Sequence, residues 1–202
     1  MLKTVKYFQT IKINLHLQTG NIYLYMDEII IEAKKQAIAN SLFNKSVSFL
    51  TAIGIPVHFR SISTDCFLPG IRIDKGEIIV DMEKLKYPGD ILHEAGHIAV
   101  VPAAERSTLN EHSIKDREQR EAEEMMVIAW SYAACVYMGI DAGFVFHDEG
   151  YKGGGSSIAE NFKQGHYFGV PMLQWVGMAL EKKMNAGPDK PIYPVMLKWL
   201  RD

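Results

Sequence analysis

The stretch Ile91-Leu92-His93-Glu94-Ala95-Gly96-His97-Ile98 decides the reading of this chain. Its two histidines are four residues apart, so on an α-helix they lie about 40° apart in azimuth and ~6 Å apart along the axis. Both imidazoles can then reach one ion. Glu94 projects about 100° round from His93, outside the ligand shell yet close enough to take a proton from a water on that ion. The apolar flanks Ile91, Leu92, Ile98, Ala99 and Val100 are expected to pin the helix in a core, with Ala95 and Gly96 keeping bulk away from the metal. Pro88 has no N–H to leave unpaired and suits a first helical turn, while Pro102 limits the far end. The helix is therefore expected over Asp90 to Val100.

Zinc suits this pattern because three protein ligands leave a fourth position for water, whose pKa falls toward ~7 when bound. The third ligand has to come from elsewhere. A metzincin would continue with a glycine and a further histidine, but Val100 and Ala103 stand in those places. A peptide deformylase would supply an upstream cysteine, and Cys66, in Thr64-Asp65-Cys66-Phe67-Leu68, lacks those surroundings and reads as a core or loop thiol. Downstream, Arg120-Glu121-Ala122-Glu123-Glu124-Met125 offers three carboxylates. The apolar stripe Met125, Ile128, Ala129, Tyr132 and Val136 extends back by helical steps to Glu121 and Glu124, and Glu123 points off it. His112 reads as a solvated loop residue, though it too is a possible ligand.

Working outward, Ile55-Pro56-Val57-His58-Phe59 has the composition of a strand. Gly70 to Val80 places β-branched residues on either side of Asp74-Lys75-Gly76, the mark of a tight hairpin. Asp27 to about Leu50 repeats apolar residues at three and four, which predicts a helix ending before Gly54. Residues 1–25 read as an irregular or strand-like arm with a turn at Thr19-Gly20-Asn21, and residues 26–202 as one domain. Asp116 with Gln119 resembles a capping box opening a second long helix that runs to Gly139. Beyond it, Phe144 to Tyr167 is rich in Gly, His and Ser, with Gly153-Gly154-Gly155 as a flexible gate or linker. Val170 to Lys183 and Tyr193 to Leu200 read as further helices.

On these residues the chain resembles the minigluzincins, small bacterial HExxH peptidase domains of the ImmA/IrrE type. The resemblance covers roughly residues 55 to 140. It implies an α+β fold in which a small antiparallel sheet packs on the HExxH helix and a second helix donates a glutamate. Their second helix tends to read Glu-Ala-Asn/Asp-x-aromatic-Ala, and Glu124-Met125-Met126-Val127-Ile128-Ala129 keeps the first and last residues of that pattern. The implied zinc ligands are His93, His97 and Glu124, with Glu121 and Glu123 the remaining choices. The implied activity is hydrolysis of a peptide or protein substrate, with Glu94 as general base. A noncatalytic zinc-stabilised regulatory or binding module is the alternative. Peptide hydrolysis also needs a donor for the tetrahedral oxyanion, and His147, Tyr151, His166 and Tyr167 are the candidates in the glycine-rich region.

Composition sets the outer bounds. Of 202 residues, 48% are apolar and 23% charged, the balance of a globular protein with a substantial core. The 22 basic and 24 acidic side chains leave a formal charge of −2, so no global field favours nucleic acid. Two cysteines make no disulfide framework, and every apolar run near the N-terminus is broken by Lys, Gln or Asn, so a reducing cytoplasm is the expected compartment. The uncharged run Met125 to Ile140 falls short of the ~20 residues that span a bilayer and reads as a core helix.

Overall fold

The computed structural model describes residues 19–63, 66–181 and 190–202. The chain divides into two compact units, 1–39 and 40–202. The first helix, α1, runs Thr19–Ala52. Most of the expected arm lies outside the described residues, but Thr19-Gly20-Asn21 is not a turn: the helix already begins there. One glycine in a first turn costs about 1 kcal/mol, and no proline follows to stop the helix. In the first unit Met26, Ile29, Ile30, Ile31 and Ile38 are exposed.

In the second unit, Phe43, Phe49 and Leu50 near the end of α1 are buried. Strands β1 (Val57–Phe59), β2 (Ile71–Asp74) and β3 (Glu77–Val80) form one sheet in the order β1-β3-β2. The hairpin forms where expected: Lys75 and Gly76 both have positive φ, 54° and 73°, which turns Asp74 back onto Glu77. The expected all-antiparallel sheet does not form. β1 runs parallel to β3, pairing Val57 with Ile78 and Phe59 with Val80. Two facts place it there. The connection from Phe59 to Ile71 is long enough to cross over, and the outer edge of β2 is already bridged from Asp74 to Asn110. Asp81, just past β3, secures the crossover by accepting the Ile62 N–H at 3.0 Å and the Glu83 N–H at 3.0 Å. Those bonds, with the Ile62 N–H foremost, hold its carboxyl below the usual range.

Helix α2 spans Asp90–Val100, as expected, and Pro88 stands in the turn before its N-cap, Gly89. Short helices α3 (Ala103–Arg106) and α4 (Glu111–Lys115) lead to the long α5 (Arg120–Met138), which ends at Gly139 in the left-handed conformation. The capping box lies earlier than expected. Asn110 accepts from the backbone of His112 and Ser113 while Ser113 Oγ accepts the Asn110 N–H, so the box opens α4, and Asp116 only closes that helix. Helix α5 opens at Gln119 with no side-chain cap. It is also enclosed more fully than a single stripe: Met126 to Cys135 are all buried, while Met125 and Val136, expected on the buried stripe, are exposed.

A 3-10 turn at Ala142–Phe144 is followed by α6 (Gly155–Lys163) and α7 (Val170–Trp175). Gly155 therefore starts a helix rather than completing a flexible gate. The expected helix from Val170 stops at Trp175, with Gly177 at positive φ soon after; residues 182 and 183 lie outside the described set. Tyr193 to Leu200 is not helical either. That segment bonds across the core instead: the Tyr193 hydroxyl donates to Ala129 O at 2.8 Å, Trp130 Nε1 to Trp199 O at 2.9 Å, and the Leu197 N–H to Met178 O at 2.9 Å. These partners replace the bonds a helix would have made within itself. Among the described residues no helix is long and apolar enough to cross a membrane.

Candidate metal centre

Helix α2 packs between the sheet and α5, with Ile91, Leu92, Ala95, Ile98, Ala99 and Val100 all buried. The crossing with α5 is set at Gly96. A methyl group there would stand 2.8 Å from Val127 Cγ1 and 3.4 Å from its Cα, so only glycine lets the helices approach this far. Gly96 thus makes room for a helix, not for a metal as its position in the motif suggested. Val127 is three residues beyond Glu124, and the close crossing brings that carboxylate over the two histidines.

His93 Nε2 lies 3.4 Å from Glu124 Oε1, and His97 Nε2 lies 3.5 Å from Glu124 Oε2. One ligand atom from each of the three residues falls within 4.8 Å of the others, so the group could hold a metal ion. The donor chemistry fits a dication. Burial drives the His93 pKa down to about 4 and that of His97 well below the ordinary value, so both rings are neutral at pH 7 and keep a lone pair. With both Nε2 atoms unprotonated, two lone pairs and a carboxylate converge on one point, an arrangement that a bound cation would relieve.

Tyr151 completes this side of the cluster. Its hydroxyl lies 3.0 Å from His93 Nδ1, and its ring meets the imidazole edge to face. In the tautomer protonated at Nδ1, His93 donates to Tyr151 and turns the Nε2 lone pair to the cluster. Burial pushes the Tyr151 hydroxyl above its ordinary pKa, so it stays protonated.

Glu94 is buried at the same cleft. Burial first, then the charges of Asp90, Glu111 and Glu124, push its pKa up to about 8 in the metal-free protein. The cleft has a volume of about 330 Å³, with Asp90, Glu94 and the three possible ligands in its lining. Phe67, Leu68 and Ile114 form an apolar part of its wall, and Lys115, Arg120 and Lys152 supply cations.

Of the residues singled out in the sequence, the fold brings together His93, Glu94, His97, Glu124 and Tyr151. It sends the others elsewhere. Glu121 is exposed on the first turn of α5. Glu123 is buried and pairs with Arg117 through two hydrogen bonds of 2.5 and 2.8 Å, with Glu105 on the same guanidinium at 2.8 Å. His112 is exposed on α4, and His166 in the turn after α6. Tyr167 packs among Tyr132, Phe162 and Tyr193. Cys66 is half-buried and lines no part of the cleft; Cys135 is a buried thiol whose pKa burial raises to about 12.

His147 takes a role the sequence did not suggest. It stacks on Tyr87 at 4.4 Å, donates through Nε2 to Asp90 Oδ1 at 2.7 Å, and accepts the Gly150 N–H at Nδ1. It therefore ties the loop carrying Tyr151 to the first turn of α2. The 3-10 turn that leads into this loop crosses the helix start so closely that a methyl group on Gly89 would fall 1.7 Å from Phe144 O. Asp90 one turn before His93, and Arg120 one turn before Glu124, are the cleft residues that helical spacing from the motif could have found. Lys152, Phe67 and Leu68 reach the cleft through loops and carry no such signal.

No family model matches this chain, and neither a curated protein nor a solved structure matches it.

Proposed function

We propose that this protein hydrolyses peptide bonds with zinc held by His93, His97 and Glu124. The observation that carries this reading is the convergence of those three ligand atoms within 4.8 Å of one another, beside a buried glutamate and open to a cleft. The reading also agrees with the resemblance of the motif and the following helix to minigluzincins. When bound, zinc would polarise the scissile carbonyl and make water acidic enough to attack near neutral pH.

The chain's own groups supply the proton traffic. Glu94 takes the proton of the attacking water and delivers it to the leaving amine, so one carboxylate serves as base and then as acid. A dication beside it would favour its ionised form and draw its pKa down from the raised value of the metal-free state. Tyr151 holds His93 through Nδ1 and offers a protonated hydroxyl to negative charge that develops in the cleft.

The test compares wild type with Glu94→Gln, each loaded with zinc and incubated with a library of internally quenched peptides. Chelator-sensitive cleavage by the wild type, and its loss by at least about 100-fold in a variant that still binds stoichiometric zinc, is the expected result. Equal cleavage by both proteins would remove Glu94 from the chemistry. Stoichiometric zinc with no cleavage by either would leave a noncatalytic zinc-stabilised module.

A further inference from the structure

The cleft is layered by charge. Its acidic side chains lie deep: Asp90 and Glu94 are 6% and 9% exposed, and Glu111 and Glu124 are half-buried. Its three cations, Lys115, Arg120 and Lys152, are all exposed. They come from three separate elements, namely the end of α4, the first residue of α5 and the loop just after Tyr151. Among the described residues none of the three forms an ion pair within 4 Å, whereas Arg60, Arg117, Lys163 and Lys198 each do.

Each deep acid has another partner or role: Asp90 receives the His147 bond, Glu94 and Glu124 belong to the proposed machinery, and Glu111 accepts a backbone bond from Phe67. Arg120 still acts on Glu124 and Lys115 on Glu111 through their charges, but neither pair closes to contact, so the three cations stay open to an incoming group. Lys115 is further held over the face of Phe67, with Nζ 4.6 Å from the ring centroid, which fixes one cation beside the apolar wall. The chain as a whole carries a formal charge of −2, so attraction for a carboxylate is local to this rim and not a property of the surface.

We propose that the rim formed by Lys115, Arg120 and Lys152 selects peptide substrates by a carboxylate close to the bond that lies over His93 and His97. The proposal rests on the peptidase reading above and names its substrate class. The carboxylate can be an Asp or Glu side chain or the free C-terminus of a short peptide. Both present the same group to the same cations, and the test separates them.

Quenched peptides of one core sequence would carry Glu, Gln or Lys at each position flanking the scissile bond, each with a free or an amidated C-terminus. Zinc-loaded wild type should show kcat/KM about tenfold higher for Glu than for Gln, and lower still for Lys, the scale of two or three exposed charge pairs. The advantage should shrink as salt rises from 0.05 to about 0.5 M, by screening. If the C-terminus is the group recognised, free-acid peptides should be cleaved about tenfold faster than amidated ones whichever residue flanks the bond.

Lys115→Glu combined with Lys152→Glu should abolish the Glu preference, and Lys peptides should gain on Gln peptides. Fluorescein-labelled copies of the same peptides, titrated by anisotropy against zinc-loaded Glu94→Gln protein, read the preference without turnover. Tighter binding of the carboxylate peptides with no cleavage by wild type would sustain the rim's role and remove the peptidase reading. Cleavage at equal rates across the Glu, Gln and Lys series, free or amidated, would keep the peptidase and overturn the selection. Equal binding across the series, with no cleavage, overturns it as well.

Discussion

The floor and the wall of the cleft are built on different physics. The floor is the crossing of α2 and α5, where Gly96 meets Val127, and it carries His93, His97 and Glu124 on two buried helices. The wall is the segment from His147 to Lys152, joined to α2 by two polar contacts, His147 to Asp90 and Tyr151 to His93, and otherwise held by ring contacts of His147 with Tyr87 and of Tyr151 with Phe146. A close-packed crossing can change only by moving whole helices, whereas each wall contact is worth about 1 kcal/mol and can be lost alone. On the proposed function, holding an ion at fixed geometry would fall to the floor and admitting a peptide to the wall, with Lys115 and Arg120 of the rim supplied by the helices beside it.

The sharpest way to break this division is to exchange adjacent carboxylates on α5. Glu124→Ala should lower zinc affinity by more than about 100-fold, beyond the range of a supporting residue. Glu123→Ala should keep zinc affinity within about threefold while costing about 1–3 kcal/mol, because the Arg117 guanidinium loses its buried partner. Calorimetric zinc titration of both variants, with urea unfolding, reads the two effects separately. Comparable zinc loss in both would mean that the α5 register assigned to the site is wrong.

A smaller effect probes the crossing itself. Gly96→Ala should destabilise the protein by about 1–3 kcal/mol, because the new methyl group collides with a stiff, fully buried valine on the facing helix. The urea midpoint measures it at constant slope. An unchanged midpoint would show that the crossing has slack, and with it the contrast between floor and wall would fade.

The smallest effect lies on the wall. Tyr151→Phe keeps the ring against Phe146 and removes only the hydroxyl at His93 Nδ1. Zinc affinity should drop about tenfold with the urea midpoint nearly unchanged. If stability falls as it does for Gly96→Ala, Tyr151 belongs to the floor.

How much of this was legible in the sequence follows the range of the interactions. The HExxH helix was placed from end to end because its signals are local: an apolar face and prolines on both sides. The β2–β3 hairpin was legible for the same reason, through Asp74-Lys75-Gly76. The direction of β1 was not, because a three-residue strand contains nothing that tells parallel from antiparallel pairing. Of the two C-terminal helices, the one at Val170 starts where expected but ends early, and Tyr193 to Leu200 forms none, because its apolar residues meet Trp130 and the core instead of sharing a helical face.

At the site, sequence alone determined that His93 and His97 share one helical face and that Glu94 stands beside it, since helical geometry relates residues three and four apart. For a third ligand it offered neighbouring glutamates and His112. Tertiary structure brings only Glu124 of these to the two histidines, because Glu123 and Glu124 differ by only one step of about 100° on α5 and their fates depend on what each step faces. One meets Arg117 and the other two histidines. The same holds for the wall. Tyr151 and His147 lie 58 and 57 residues from His93 and Asp90, and no local spacing could show that Tyr151 would reach the cleft while Tyr167 packed into the core. Local sequence carries the geometry of one helix, and only packing carries the geometry between two.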